Sequence, residues 1–192
     1  TKNVHHDRIL NEKIKKIIFK SDFLINYAND SNLYGAICNY YGINIKNVAI
    51  GFGATDLIQR VLNSIDINYL YIVNPSFMMV DVYCKMLGLN YEFIDLKKLD
   101  KLKVKKNSGV YFVNPNGVNG EAHDLRKYRE KFKWFIVDEV YSDFYDKYSF
   151  LKNISDNTVI IKSLSKSLGI AGLRVGFCCS TYRLIKEIQK LR

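Results

Sequence analysis

The stretch Ser163–Phe177, SLSKSLGIAGLRVGF, decides how the rest of the chain is read. It sets Lys166 between two serines, follows it with Gly169 and Gly172, and places Arg174 eight residues after the lysine. An ordinary surface lysine requires none of these neighbours. A lysine that works as a nucleophile does, because its amine reacts only when unprotonated, a state that burial or a nearby positive charge favours. Arg174 supplies such a charge, and its planar fork also fits the oxygens of a phosphate.

Outward from this stretch, short apolar runs rich in β-branched and aromatic residues alternate with segments of helical spacing. NVAIGFG, YLYIVNP, NYEFIDL, GVYFVNP, WFIVDEVY, TVIIKSLS and RVGFCCS read as seven strands. SNLYGAICNYYGI, TDLIQRVLNSI (with Thr55 as N-cap), SFMMVDVYCKMLGL, EAHDLRKYREKF and YRLIKEIQKLR read as helices, and ILNEKIKKIIFKSDFLINYA as a helix and loop. Strands that are continuously apolar are buried on both faces, which requires a mostly parallel sheet sandwiched by helices. The fold class is therefore α/β, built on one sheet of about seven strands. In such sheets ligands bind beyond the carboxyl ends of the strands. The polar and glycine-rich pieces GFGATD, NPSF, NPNGVNG, DEVY and SLSKS all fall at strand ends. Each alone is an ordinary turn, and GFGAT lacks the third glycine of a dinucleotide fingerprint. Five together point to one crevice.

The bulk numbers set limits. The chain has 192 residues, 48% of them hydrophobic, which is enough for one substantial core. No apolar run is long enough for a membrane span, and the first ten residues, TKNVHHDRIL, do not read as a secretory signal. The formal charge of +10 is spread over stretches such as NEKIKKIIFK and LKKLDKLKVKK, which read as solvated faces, so neither a nucleic acid nor a membrane is expected as a partner. The four cysteines show no C-x-x-C spacing, so no metal site is expected. Cys178 and Cys179 sit in an apolar run, as core residues of a cytoplasmic protein do.

Taken together, these residues resemble the fold-type I, pyridoxal-phosphate-dependent aminotransferases of class I/II, in the branch of histidinol-phosphate aminotransferase and threonine-phosphate decarboxylase. The resemblance runs from about Tyr27 to the end of the chain, and SLSKSLGIAGLRVG is its most specific part. It implies that Lys166 forms the Schiff base with pyridoxal 5′-phosphate. It implies that Ser163, Ser165 and Arg174 hold the phosphate, together with the amides of Gly53, Ala54 and Thr55 at a helix start. Asp138 would lie beneath the pyridine nitrogen and keep it protonated, and Tyr141 would bond the 3′ oxygen. Phe77 takes the place of the ring-stacking aromatic. Tyr27 resembles the tyrosine that reaches a partner's phosphate across a homodimer. Catalysis is assigned to Lys166, Asp138 and Tyr141, acting on a small-molecule amino donor and keto acceptor.

The chain also departs from the family. The usual loop reads N-P-N-N-P-T-G, whereas residues 114–120 read NPNGVNG, so the asparagine expected at the 3′ oxygen falls on Gly117. Asn116 and Asn119 are the candidates to replace it. The segment from this loop to Asp138 is shorter than in the family by about two helical turns. The chain ends in IKEIQKLR, where the family's interdomain helix begins, which implies that a C-terminal small domain is missing. The resulting division is an N-terminal helical and interface segment, 1–45, and a cofactor-binding large domain, 46–192. Beside transamination two other readings stand: decarboxylation of a phosphorylated amino acid, and a non-catalytic fragment of the same fold.

Overall fold

The computed structural model describes residues 8–20 and 29–191. Helices α1 (Arg8–Lys20) and α2 (Ser31–Tyr41) precede a seven-stranded sheet. Its elements are β1 (Val48–Phe52), α3 (Gly53–Ser64), β2 (Tyr69–Asn74), α4 (Met79–Met86), β3 (Asn90–Asp95), β4 (Ser108–Val113), β5 (Trp134–Asp138), β6 (Thr158–Ser163), α5 (Leu164–Ser167), β7 (Val175–Cys179) and α6 (Tyr182–Lys190). The spatial order is β1-β7-β6-β5-β4-β2-β3. All pairings are parallel except those of β7, which runs antiparallel to both β1 and β6. Six strands thus end at one edge, and β7 begins there.

Alternation along each strand explains the unbroken apolar runs. Val110, Phe112, Phe135, Val137 and Ile160 point to one face, where they pack with Ile37 of α2 and with Phe150. Tyr111, Ile136, Val159 and Ile161 point to the other, against Leu57, Ile58 and Val61 of α3 and Ile185 and Ile188 of α6. Both faces are covered, so both sets of side chains must be apolar. The edge strand β3 is the exception, with only Ile94 buried. All four cysteines are free thiols in buried positions; burial pushes those of Cys84 and Cys178 up to about 12. No helix among the described residues is long and apolar enough to cross a membrane.

The seven strands fall where the periodicity put them, but two helical readings need correction. Helix α3 begins at Gly53, ahead of Thr55, and Thr55 does not cap it. The Asp56 carboxylate does the terminal work instead, accepting from the Phe52 amide at 2.8 Å while Arg60 forks onto it at 2.9 and 2.6 Å. The segment EAHDLRKYREKF forms only a 3₁₀ turn, Arg126–Lys131. Side chains compete there for the backbone. Asn114 bonds both the amide and the carbonyl of His123 at 2.9 Å, and Asp124 Oδ1 accepts from the Arg126 amide. Bonds of this kind replace the helical ladder.

Phe135 sits at the centre of the first face, fully buried, with ring centroids 5.1 Å from Phe112 and 5.2 Å from Phe150. Phe135→Ala is expected to lower unfolding free energy by about 3–5 kcal/mol in urea titration.

Candidate functional site

The carboxyl ends of β1, β5 and β6 and the start of β7 bring Gly53, Asp138, Ser163 and Arg174 to one edge of the sheet. Register carries this convergence: Phe52 pairs with Val175, Gly51 and Ser163 both pair with Gly176, and Asp138 pairs with Ile161. Ser163 caps α5, its Oγ accepting from the Ser165 amide at 3.2 Å and donating to the Val175 carbonyl at 3.4 Å. Lys166 follows, half-buried, with Nζ 5.9 Å from the ring centroid of Tyr141.

The turn into α3 is shaped by bare backbone. Gly53 has φ +82°, and a Cβ there would fall 2.6 Å from the guanidinium of Arg174. Arg174 itself is left-handed, at φ +53°, and its two terminal nitrogens lie 3.2 Å from the Ala171 carbonyl and 3.5 Å from the Phe52 carbonyl. A positive group therefore stands directly over the first turn of α3. The amides of Gly53, Ala54 and Thr55 open that helix, where helices offer no internal acceptor. Guanidinium and helix N-terminus together suit an anion.

Asp138 ends β5 with its side chain buried. The Tyr111 hydroxyl donates to Oδ2 at 2.6 Å and the Val140 amide to Oδ1 at 3.1 Å. Burial raises this carboxyl to about 6, against the pull of those two donors. Glu139, also buried, is likewise raised by burial, opposed first by the Phe150 amide and then by the Ser149 hydroxyl. Across the sheet, Lys162 pairs with Asp143 Oδ1 at 2.7 Å and donates to Ser142 Oγ, while Tyr41 donates to Asp143 Oδ2 at 2.9 Å. Burial pushes Asp143 up, but the bonds from Lys162, Ser167 and Tyr41 outweigh it and hold the carboxyl below the usual range. This ion pair ties the segment after Asp138 to the strand that leads into Lys166.

The loop 114–120 carries a feature that sequence reasoning missed. A Cβ on Gly117 would lie 2.3–2.9 Å from Cε2, Cζ and the hydroxyl of Tyr141, so the tyrosine ring occupies the space of the missing side chain. Asn116 is buried and committed: Nδ2 donates to the Pro75 carbonyl at 2.5 Å and Oδ1 accepts from the Val118 amide at 2.9 Å. Asn119 is bound to Glu121 through both of its side-chain atoms. Phe77 follows β2 and is partly exposed. Tyr27 lies outside the described residues. A cavity of about 750 Å³ is lined by Val73, Phe112, Leu125 and Tyr128 together with the strand-end residues Asn74, Pro75, Asn114, Asn116 and Asn119, but by none of Gly53, Asp138, Ser163, Lys166 and Arg174. Asp56, Tyr111, Lys162 and Asp143 were also not singled out. Of these only Asp56 carried a local signal, its i,i+4 spacing to Arg60.

Residues 26–192 match the family described as aminotransferase class I and II. The chain is 32% identical to histidinol-phosphate aminotransferase of Clostridium novyi, covering 95% of this chain and 57% of that protein. It is 27% identical to the protein of the same name from Pyrococcus furiosus, covering 94% and 56%. The chain thus spans little more than half the length of these curated relatives. Among solved structures, L-threonine-O-3-phosphate decarboxylase from Porphyromonas gingivalis superposes with a TM-score of 0.79 at 18% identity, over 94% of this chain and 59% of that one.

Two measurements test the geometry. Gly117→Ala is expected to cost about 1–3 kcal/mol by driving a methyl into the Tyr141 ring, and most of that cost should vanish in the background of Tyr141→Ala, as read by a double-mutant cycle in urea. Asp138 also makes stability depend on pH. Its folded pKa lies above its unfolded value near 3.9, so the folded state holds a proton that the unfolded state has released between about pH 4 and 6. Its contribution therefore becomes less favourable as pH rises through that window, by at most roughly 3 kcal/mol. Asp138→Asn should gain stability relative to the parent by up to that amount between pH 4 and 7, with the Glu139 contribution common to both proteins.

Proposed function

This chain belongs to the aminotransferase class I and II family, and we propose that it is the cofactor-binding part of an enzyme that uses pyridoxal 5′-phosphate to move an amino group from a small amino donor to a keto acceptor. The observation that carries this reading is the meeting of a lysine, a buried carboxyl and an arginine-covered helix start at one sheet edge. The residues suit the group chemically. Arg174 over the bare backbone of Gly53 offers charge and amides to a phosphate. The buried Asp138 offers a carboxyl whose proton affinity lies close to neutrality.

In this reading Arg174, Ser163, Ser165 and the amides of Gly53, Ala54 and Thr55 hold the phosphate. Asp138 holds a proton at the ring nitrogen. Phe77 would offer its ring to the cofactor's ring, and Tyr141 would offer a donor to its phenolic oxygen. Tyr141 is also the donor at the position left empty by Gly117; the carboxamide of Asn116, assigned to the cofactor on sequence grounds, is engaged within its own loop. Lys166 would hold the cofactor through its amine and would supply the base for the proton on the substrate's α-carbon. The cofactor, when bound, supplies the electron sink for the carbanion. Residues 46–192 form the cofactor-binding domain. In the same reading residues 1–45 are assigned to an interface segment of a cytoplasmic homodimer.

The test is an absorbance spectrum of the chain after loading with pyridoxal phosphate and removal of the excess. A visible band that borohydride abolishes, and that Lys166→Ala lacks, is the expected result. No band in the parent overturns the cofactor reading, and a band that persists in Lys166→Ala overturns the assignment of that lysine. With the remainder of the protein present, an amino acid and a keto acid distinguish amino transfer from release of carbon dioxide, the outcome that would favour a decarboxylase.

A further inference from the structure

The buried face of the sheet beneath the site contains one hydroxyl with a clear task. Tyr111 lies in β4, fully buried among apolar side chains that include Ile72, Ile136 and Ile161. Phenylalanine would fill this space without bringing a polar atom into it, and a buried hydroxyl costs free energy unless it is bonded. The Tyr111 hydroxyl is bonded, to Asp138 Oδ2 at 2.6 Å. Register makes the contact possible. Tyr111 pairs with Ile136 and Val113 with Asp138, so Tyr111 and Asp138 lie diagonally on the same face of adjacent parallel strands. The phenol runs along the strand and delivers its proton to the carboxyl at the strand end.

We propose that Tyr111 is a positioning residue for Asp138, fixing the orientation and the charge of the carboxyl that the site uses. The role toward a ring nitrogen rests on the cofactor reading above; the bond between the two side chains does not. Each carboxylate oxygen has two acceptor directions. Tyr111 occupies one on Oδ2 and the Val140 amide one on Oδ1, which pins the group at both oxygens and leaves one acceptor direction open on each. Without the phenol, Oδ2 would lie buried against apolar neighbours and the carboxyl would be free to turn. Other titratable groups lie on the elements packed against this face: Asp56 and Arg60 of α3, Tyr83 and Cys84 of α4, and Cys178 of β7. None of them is among the influences on the Asp138 carboxyl; burial, Tyr111 and the Val140 amide are.

The experiment is a ¹³C NMR titration of aspartate-labelled chain without cofactor, the Asp138 signal being assigned by its absence in Asp138→Asn. In Tyr111→Phe the Asp138 titration midpoint should rise by about one pH unit, a tenfold gain in proton affinity, because a charge-assisted donor is lost. A second variant keeps the shape of the ring: 3-fluorotyrosine at position 111 has a more acidic hydroxyl, is a stronger donor, and should lower the midpoint. A purely space-filling role for Tyr111, which phenylalanine meets equally well, predicts an unmoved midpoint in Tyr111→Phe, and that result overturns the proposal. Should Tyr111→Phe not fold, the fluorotyrosine protein decides alone, an unmoved midpoint again being fatal. Loading each protein with pyridoxal phosphate separates the two readings. Midpoints that move in a chain that binds no cofactor uphold the positioning role and refute the cofactor assignment. Midpoints that stay fixed in a chain that binds it do the reverse.

Discussion

The backbone of β7 at Gly176 lies directly against the turn from β1 into α3, and the geometry of the site depends on this contact. A Cβ on Gly176 would stand 2.6 Å from the carbonyl carbon of Gly53 and 2.9 Å from the amide nitrogen of Ala54. Only a strand without a side chain at this point can slide between β1 and β6 so close to the helix start. The antiparallel insertion of β7 then places its first residues at the edge where the other strands end, and Arg174 comes to rest over Gly53. With a side chain at either glycine, the guanidinium and the helix N-terminus would be pushed apart. The Asp56–Arg60 pair supports the same turn from inside the helix, tying the Phe52 amide to the first turn.

Buried charge is the second organising element. Asp138, Glu139, Asp143 and Lys162 crowd around the strand ends of β5 and β6, and each is satisfied differently. Asp138 takes a phenol and an amide, Glu139 takes an amide and a hydroxyl, and Asp143 takes an ammonium and a phenol. The outcome follows from the donors. Two neutral donors leave the fully buried Asp138 raised, whereas an ammonium overrides the lesser burial of Asp143. A raised carboxyl at the open edge and a firmly ionised one behind it perform separate tasks, one facing the site and one bracing the segments that bear Tyr141 and Lys166.

The loop 114–120 and the segment that follows it are locally coherent. Gly117 leaves the space that the Tyr141 ring fills, so the bare backbone and the placement of the tyrosine are two sides of one packing arrangement. The segment after the loop is held by Asn114 and Asp124 in place of a helical ladder, and it borders a cavity lined in part by Phe112 and Tyr128.

The sequence by itself determined the α/β class, the seven strands and the polar strand ends that gather at one edge of the sheet. Those features are written in local periodicity and composition: a strand buried on both faces must be apolar throughout, and a strand end with glycine, serine or aspartate is visible where it stands. Tertiary structure alone decided the pairings that act across distance. Tyr111 meets Asp138 over 27 residues and Lys162 meets Ser142 over 20, and in neither case does a local pattern announce the partner. It also decided where α3 starts, because Asp56 rather than Thr55 captures the first free amide, and it abolished the helix expected after Gly120, because Asn114 and Asp124 capture its backbone groups first. Periodicity records which face of an element is buried. It does not record which of two competing acceptors lies within 3 Å of a donor once the strands are in register.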